Sequence, residues 1–325
     1  MQSLSIGKLR GLQQCSSDRG TFTALALDHR QNLRRALNPS DPASIMDEDL
    51  THFKLELTAA LASQATAVLL DPEYSAAQAL ASGLVPNHVG LVVALESTGY
   101  TGDTTARHAQ ILPGWSVEKA KHMGADAVKL LVYYHPEAST ASEIESFVKQ
   151  VAGECIRYDL ALMLEPLAYP LEAGRKSLSS KEKRHVVVET ARSLTPLGVD
   201  ILKAEFPLDT TEEKDEIEWA KACAEISSAS CVPWLLLSAA ADYEIYLRQV
   251  SIACKAGASG IAVGRAVWQE AVALSGAART AFLNDVACQR LGRLTALCAE
   301  LGKPWTDIHA APLVTPNWFS SYNKP

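Results

Sequence analysis

The sequence predicts a (β/α)8 (TIM) barrel of the α/β class, and three observations carry that prediction. Eight short apolar runs recur along the 325 residues, each separated from the next by an interval long enough for a helix. The runs are almost continuously hydrophobic, as parallel strands covered on both faces should be. Polar residues gather where the runs end, matching a barrel whose site lies at the C-terminal ends of its strands. Eight units in this length suit a barrel better than an open doubly wound sheet. No Gly-x-Gly-x-x-Gly follows the first run, which further disfavours a dinucleotide-binding fold.

Residues 1–20 read as a short amphipathic segment ending in the polar turn Ser-Ser-Asp-Arg-Gly at 16–20. The first run, Phe22 to Leu27, stops abruptly at Asp28, His29 and Arg30. The second spans residues 67–70 and is closed by Asp71-Pro-Glu-Tyr; the third spans 91–95 and is closed by Glu96-Ser-Thr-Gly-Tyr. A Met-Gly-Ala-Asp turn introduces the fourth, residues 127–133, and the fifth, residues 160–164, is closed by Glu165 and Pro166. The sixth lies within residues 199–207, the seventh is 234–237 closed by Ser238-Ala-Ala, and the eighth is 260–263 closed by Gly264 and Arg265. No linker interrupts the series, so residues 1–325 are expected to form one domain with a proline- and aromatic-rich tail from about residue 303. That tail is expected to pack as irregular chain on the barrel or on a neighbouring subunit.

Composition bounds the function. Hydrophobic residues are 48% and charged residues 21% of the chain, which is ordinary for a soluble globular protein. A net charge of −7 argues against non-specific nucleic-acid binding and leaves small anionic substrates open. Seven scattered cysteines, with no Cys-x-x-Cys, point to reduced thiols and to neither a disulfide framework nor a zinc site. No apolar run is long enough to span a bilayer, so no membrane partner and a cytoplasmic location are expected.

The sixth run carries the chemistry. Alternation puts Ile201, Lys203 and Glu205 on one face and Leu202 and Ala204 on the other. An amine in an apolar strand is one half of a buried Lys–Glu ion pair, a strand end that reaches water, or a nucleophile able to attack a carbonyl carbon. The fourth run supplies a second strand lysine, Lys129, on the face shared by Ala127, Leu131 and Tyr133. Two lysines meeting across the interior should lower the pKa of one of them, since a neighbouring cation and burial both disfavour protonation. The alternative for Lys129 is a structural partner of Glu96 or Glu165. Glu165 is placed to shuttle protons to a substrate hydroxyl or to act as a lysine counter-ion, and Asp28 to orient a lysine or a hydroxyl. Ser238, Gly264 and Arg265 occupy the loops after the seventh and eighth strands, where phosphate sites are common in this architecture. The alternative for Arg265 is a surface arginine paired with Glu270. The loop at residues 174–184 follows the fifth strand on the active face, where it would serve as a lid or as solvated chain.

Several of these segments together resemble one family, the class I tagatose-1,6-bisphosphate aldolases and the related sulfofructose-phosphate aldolases. The likeness runs over roughly residues 20–275. It is carried by Leu-Asp-His-Arg at 27–30, Leu-Leu-Asp-Pro-Glu-Tyr at 69–74, Glu-Ser-Thr-Gly-Tyr at 96–100 and Leu-Glu-Pro-Leu at 164–167. Asp-Ile-Leu-Lys-Ala-Glu-Phe-Pro at 200–207, Leu-Leu-Ser at 236–238 and the segments 124–134 and 257–268 complete it. The resemblance implies a metal-independent lyase without a cofactor, in which Lys203 forms a Schiff base with the substrate ketone and Glu165 acts on the C4 hydroxyl. It also implies that Asp28 and Lys129 set protonation states and that Ser238, Gly264 and Arg265 hold the dihydroxyacetone-phosphate end.

Two departures stand out. His29 replaces the family's usual glutamine, which bears on contacts to the aldehyde half, and Ala239 and Ala240 stand where a glycine is usual; His29 and Arg30 are also expected among the substrate- or phosphate-binding residues. The expected reaction is reversible cleavage of tagatose or fructose 1,6-bisphosphate to dihydroxyacetone phosphate and glyceraldehyde 3-phosphate, by a homo-oligomer. The alternatives are cleavage of 6-deoxy-6-sulfofructose 1-phosphate to sulfolactaldehyde and, in another class, a non-catalytic sugar-phosphate sensor.

Overall fold

Each of the eight apolar runs forms a strand, and the strands close on themselves. The structure, a computed structural model, describes residues 2–320 and 322. The strands are β1 (Phe22–Ala26), β2 (Ala67–Leu70), β3 (Gly90–Ala94), β4 (Ala127–Tyr133), β5 (Ala161–Leu167), β6 (Ile201–Ala204), β7 (Trp234–Leu237) and β8 (Gly260–Val263). They pair in the ring order β7-β8-β1-β2-β3-β4-β5-β6, with every neighbouring pair parallel. A helix follows every strand before the next begins. One boundary differs from expectation: β5 runs on to Leu167, so Glu165 and Pro166 lie inside the strand, not beyond its end.

The period-two alternation sorts the strand residues into two layers. Outward side chains such as Val68, Leu130, Leu162, Leu202 and Ile261 pack against the helices in the larger core. Inward ones such as Ala24, Ala127, Ala161, Met163, Ile201 and Leu235 fill the lower half of the barrel. One further step of two along these strands reaches Lys129, Glu165 and Lys203, and two such steps from Ala24 reach Asp28, just past the end of β1. The inward face thus turns from alanine and methionine to charge at mid-barrel.

The lower end is sealed. The amphipathic segment forms a helix, Ile6–Cys15, whose Leu12 and Cys15 join the inner core. Its Lys8 reaches Asp200 at 2.7 Å, with both side chains buried. Gly11 is needed for that fit, because a Cβ there would lie 2.1 Å from the Asp126 carbonyl oxygen. The tail crosses the same end: Trp305 is buried and donates to Ser16 Oγ at 3.0 Å, and His309–Ala310 pairs in parallel with Gln2–Ser3. Tyr322 hydrogen-bonds Asp159 and accepts from the Gly7 N–H at 3.1 Å. The tail therefore packs on the barrel at the face opposite the strand C-termini.

Candidate active site

A cavity of about 380 Å³ opens at the C-terminal ends of the strands. The two strand lysines meet there through a carboxylate. Glu165 Oε2 lies 2.8 Å from Lys129 Nζ and 2.9 Å from Lys203 Nζ. Lys129 also contacts Asp28 Oδ2 at 2.8 Å and Glu96 Oε1 at 2.7 Å, and the other Glu96 oxygen accepts from the Leu131 N–H at 3.0 Å. Lys203 therefore has an ion-pair partner, but it is Glu165 and not its strand neighbour Glu205. Glu205 accepts instead from the Ala168 N–H at 2.7 Å and faces Lys183 at 3.6 Å.

These contacts decide the protonation states. Burial alone would strip the proton from Lys129, yet Asp28, Glu165 and Glu96 outweigh it and push its pKa well above the usual lysine value. The expectation that lysine–lysine proximity would lower a pKa is corrected for Lys129: three carboxylates surround it, and their attraction exceeds the repulsion of one cation. Burial would raise Glu165 and Asp28, but Lys129 and then Lys203 hold both below the usual carboxylate range. Glu165 is therefore an ionised base at neutral pH, and Lys129 is the fixed cation that keeps it so.

The β7–β8 side of the cavity has a different character. The Gly264 N–H donates to Ser238 Oγ at 3.4 Å, and a Cβ on Gly264 would lie 2.8 Å from the Ala26 carbonyl oxygen. Only glycine lets these backbones approach. Arg265 lines the cavity without a hydrogen bond or ion pair among the described residues, and Glu270 pairs instead with Arg290 at 2.7 Å. Burial pulls the Arg265 pKa down against the attraction of Glu165 and Asp28. Ala239 and Ala240 adopt φ of +43° and +61°, the left-handed conformation that a glycine would favour. His29 also faces the cavity, its ring edge-on to Trp268 at 5.5 Å with Nδ1 unbonded. Burial, then Arg265, Lys203 and Lys54, bring its pKa from 6.5 down to about 4.

Other candidates are placed differently. Arg30 touches the cavity wall, but its guanidinium is committed to Glu73 at 2.5 Å and to the Glu96 carbonyl at 2.6 Å. Asp71 is buried behind the wall, hydrogen-bonded to Lys54 and Ser75. The loop considered as a lid is tied down: Glu182 binds Arg175 and caps the helix Ser180–Leu194, and no residue of 174–184 lines the cavity. A residue the sequence did not single out does line it. Arg107 comes from a two-stranded hairpin, Thr101–Asp103 with Ala106–His108, that follows β3. Among the described residues no group of three or more His, Cys, Asp or Glu side chains is arranged to hold a metal ion, and no helix is long and apolar enough to cross a membrane.

Comparison with known proteins gives the family and the fold. Residues 22–270 match the family model described as DeoC/LacD family aldolase. The chain is 31% identical over 290 residues to tagatose 1,6-diphosphate aldolase 1 of Enterococcus faecalis, covering 84% of this chain and 87% of the relative. It is 29% identical to tagatose 1,6-diphosphate aldolase 2 of Streptococcus mutans, covering 94% and 98% of the two chains. Among solved structures, fructose-bisphosphate aldolase from Plasmodium falciparum shares the fold with a TM-score of 0.72 at 13% identity, over 93% of this chain and 98% of that one. An archaeal fructose 1,6-bisphosphate aldolase does so with a TM-score of 0.59 at 23% identity, over 90% and 99%. With the family model covering most of the barrel and the curated relatives covered nearly end to end, this chain is a member of the DeoC/LacD family of aldolases.

Proposed function

We propose that this protein is a Schiff-base aldolase that reversibly cleaves tagatose or fructose 1,6-bisphosphate to dihydroxyacetone phosphate and glyceraldehyde 3-phosphate. The observation that carries the reading is the single carboxylate oxygen of Glu165 shared by Lys129 and Lys203. Glu165 is the nearest acceptor for the proton Lys203 must lose before its amine attacks the C2 carbonyl. The carbinolamine that forms takes the proton back from Glu165 as its hydroxyl leaves as water, which gives a protonated imine and restores the Glu165 carboxylate. Glu165 then takes the C4 hydroxyl proton, the C3–C4 bond breaks, and its electron pair passes into the imine to leave an enamine and the free aldehyde. Protonation at C3 and hydrolysis return dihydroxyacetone phosphate and the Lys203 amine. Lys129 stays charged throughout, and Asp28 and Glu96 hold it in place. Ser238, Gly264 and the unpaired Arg265 support a phosphate on the β7–β8 side, and His29 flanks it.

Reduced cysteines support a cytoplasmic setting. The exposed Leu313, Val314 and Phe319 of the tail support a second copy of the chain as partner. The test is borohydride trapping with dihydroxyacetone phosphate. A stable adduct mapped to Lys203 is expected, whereas binding without an adduct would make the protein a sugar-phosphate sensor instead. A cleavage assay on both bisphosphates and on 6-deoxy-6-sulfofructose 1-phosphate assigns the substrate, and a marked preference for the sulfonate would overturn the bisphosphate reading.

A further inference from the structure

The cavity wall carries a second unpaired arginine, and its setting is unusual. Arg107 sits on the hairpin after β3, where Asp103 accepts from the Thr105 N–H at 2.9 Å and fixes the turn. Its guanidinium carbon lies 4.4 Å from the ring centre of Tyr100, 4.5 Å from Tyr169 and 5.3 Å from Tyr133. The Tyr100 and Tyr133 rings pack edge to face at 5.0 Å. Three aromatic faces hold the cation without neutralising it. Only its Nε–H is used, donating to the Thr104 carbonyl at 2.9 Å. The four remaining N–H donors have no hydrogen-bond partner among the described residues, and no carboxylate is paired with the group.

The ring order gives this arginine a direction. Tyr133 belongs to β4, and Arg265 follows β8; four places apart in a ring of eight, these strands face one another. β6, with Lys203, stands midway between them. The cavity therefore presents an unpaired arginine on each of two opposite sides, with the amine between. A six-carbon ketose carrying an oxyanion at both ends matches that arrangement, its C2 at Lys203 and its first phosphate at Arg265. We propose that Arg107 binds the distal tetrahedral oxyanion, phosphate or sulfonate, at C6 of the substrate. On this proposal the Thr101–His108 hairpin selects doubly anionic ketoses over ketose monophosphates. The proposal rests on the aldolase reading given above.

The experiment compares kcat/KM of the wild type and Arg107→Met on fructose 1,6-bisphosphate, tagatose 1,6-bisphosphate, 6-deoxy-6-sulfofructose 1-phosphate and fructose 1-phosphate. Fructose 1-phosphate has no distal anion. The preference for a doubly anionic substrate over fructose 1-phosphate should fall about 10- to 100-fold, mostly through KM, as loss of a charge-assisted contact predicts. The substrate losing most from the highest wild-type value identifies phosphate or sulfonate as the occupant. Arg107→Lys keeps the charge but loses the planar stack and fork, so its preference should fall between the other two. An unchanged preference overturns the proposal, whether both activities drop together or neither does. Dihydroxyacetone phosphate does not extend to the distal site, so its borohydride adduct at Lys203 separates the two readings. If the wild type forms no adduct, the aldolase reading fails. If it forms one and the preference is unmoved, only the role of Arg107 fails.

Discussion

At the closed end of the barrel Lys8 meets Asp200 at 2.7 Å; at the open end Lys203 meets Glu165 at 2.9 Å. Both pairs are buried; the first ties the N-terminal helix to the start of β6, and the second joins the neighbouring strands β6 and β5. The closed pair is covered: Asp200 Oδ2 also accepts from the Leu162 N–H at 2.8 Å, and helix Ile6–Cys15 supplies Lys8 over it. The open pair has a cavity beside it, and one Glu165 oxygen serves two ammonium groups. A buried ion pair thus reads as structure where it is closed off and as chemistry where a ligand can still enter. Removing a partner should cost stability at one end and turnover at the other.

The largest effect is expected at the open end. Lys203→Met should lower kcat by about 10⁴-fold or more, as loss of a covalent nucleophile does, and should abolish the borohydride adduct. Glu165→Gln should lower kcat by roughly 10²- to 10⁴-fold, the range for a general acid/base, and should form the adduct more slowly, because Glu165 also takes the Lys203 proton. An adduct formed at the wild-type rate would show that another group deprotonates Lys203 and would leave Glu165 its role at the C4 hydroxyl alone.

At the closed end the effect should fall on folding. Lys8→Met leaves Asp200 buried without its cation, which is expected to cost about 3–5 kcal/mol of stability. Urea unfolding measures the loss, and kcat of the folded fraction should match the wild type. A variant of wild-type stability but reduced kcat would join the two ends, and the contrast would be lost.

The contrast also explains how much could be read from the chain. The eight strands were legible because each is a local run of apolar residues, and Lys129 and Lys203 because charge inside such a run is conspicuous. The direction of the lysine shift was not legible. Adjacent cations can be inferred from two strand lysines, but the balance depends on Asp28, Glu96 and Glu165 converging from β1, β3 and β5. Arg107 was hidden for a similar reason. Its partners Tyr100, Tyr133 and Tyr169 come from separate loops and strands, and no spacing in the chain marks them as one cluster.

A smaller effect is expected from His29, whose pKa falls from 6.5 to about 4 in the folded chain. The unfolded chain binds the proton more tightly, so between those values it carries more protons than the folded one. Stability should therefore fall as pH drops from 6.5 towards 4 and be fully present above that window. Asp28 and Glu165, both depressed, add a further loss at lower pH as each is protonated. His29→Gln, the residue usual in the resembling family, should flatten the upper part of that slope. Denaturant midpoints measured from pH 4 to 8 test this, and an unchanged slope would show that His29 is protonated as readily in the fold as outside it.

The smallest effect concerns backbone. Ala239 and Ala240, in the loop beside the Arg265 side of the cavity, hold φ of +43° and +61°. A left-handed L-residue costs roughly 1–2 kcal/mol. Glycine removes that cost but gives back about 0.5–1 kcal/mol by loosening the unfolded chain. Ala239→Gly or Ala240→Gly should therefore stabilise the protein by up to about 1.5 kcal/mol each, by the difference of those two terms. Ala127 lies in β4 in the sealed half of the barrel, where the backbone is an ordinary strand. Ala127→Gly should therefore destabilise by about 1 kcal/mol. Opposite signs would show that the open-end loop keeps a costly conformation which the closed end has no use for. If both substitutions destabilise, the loop's alanines are packed, not strained, and the left-handed turn is the shape that side chains prefer there.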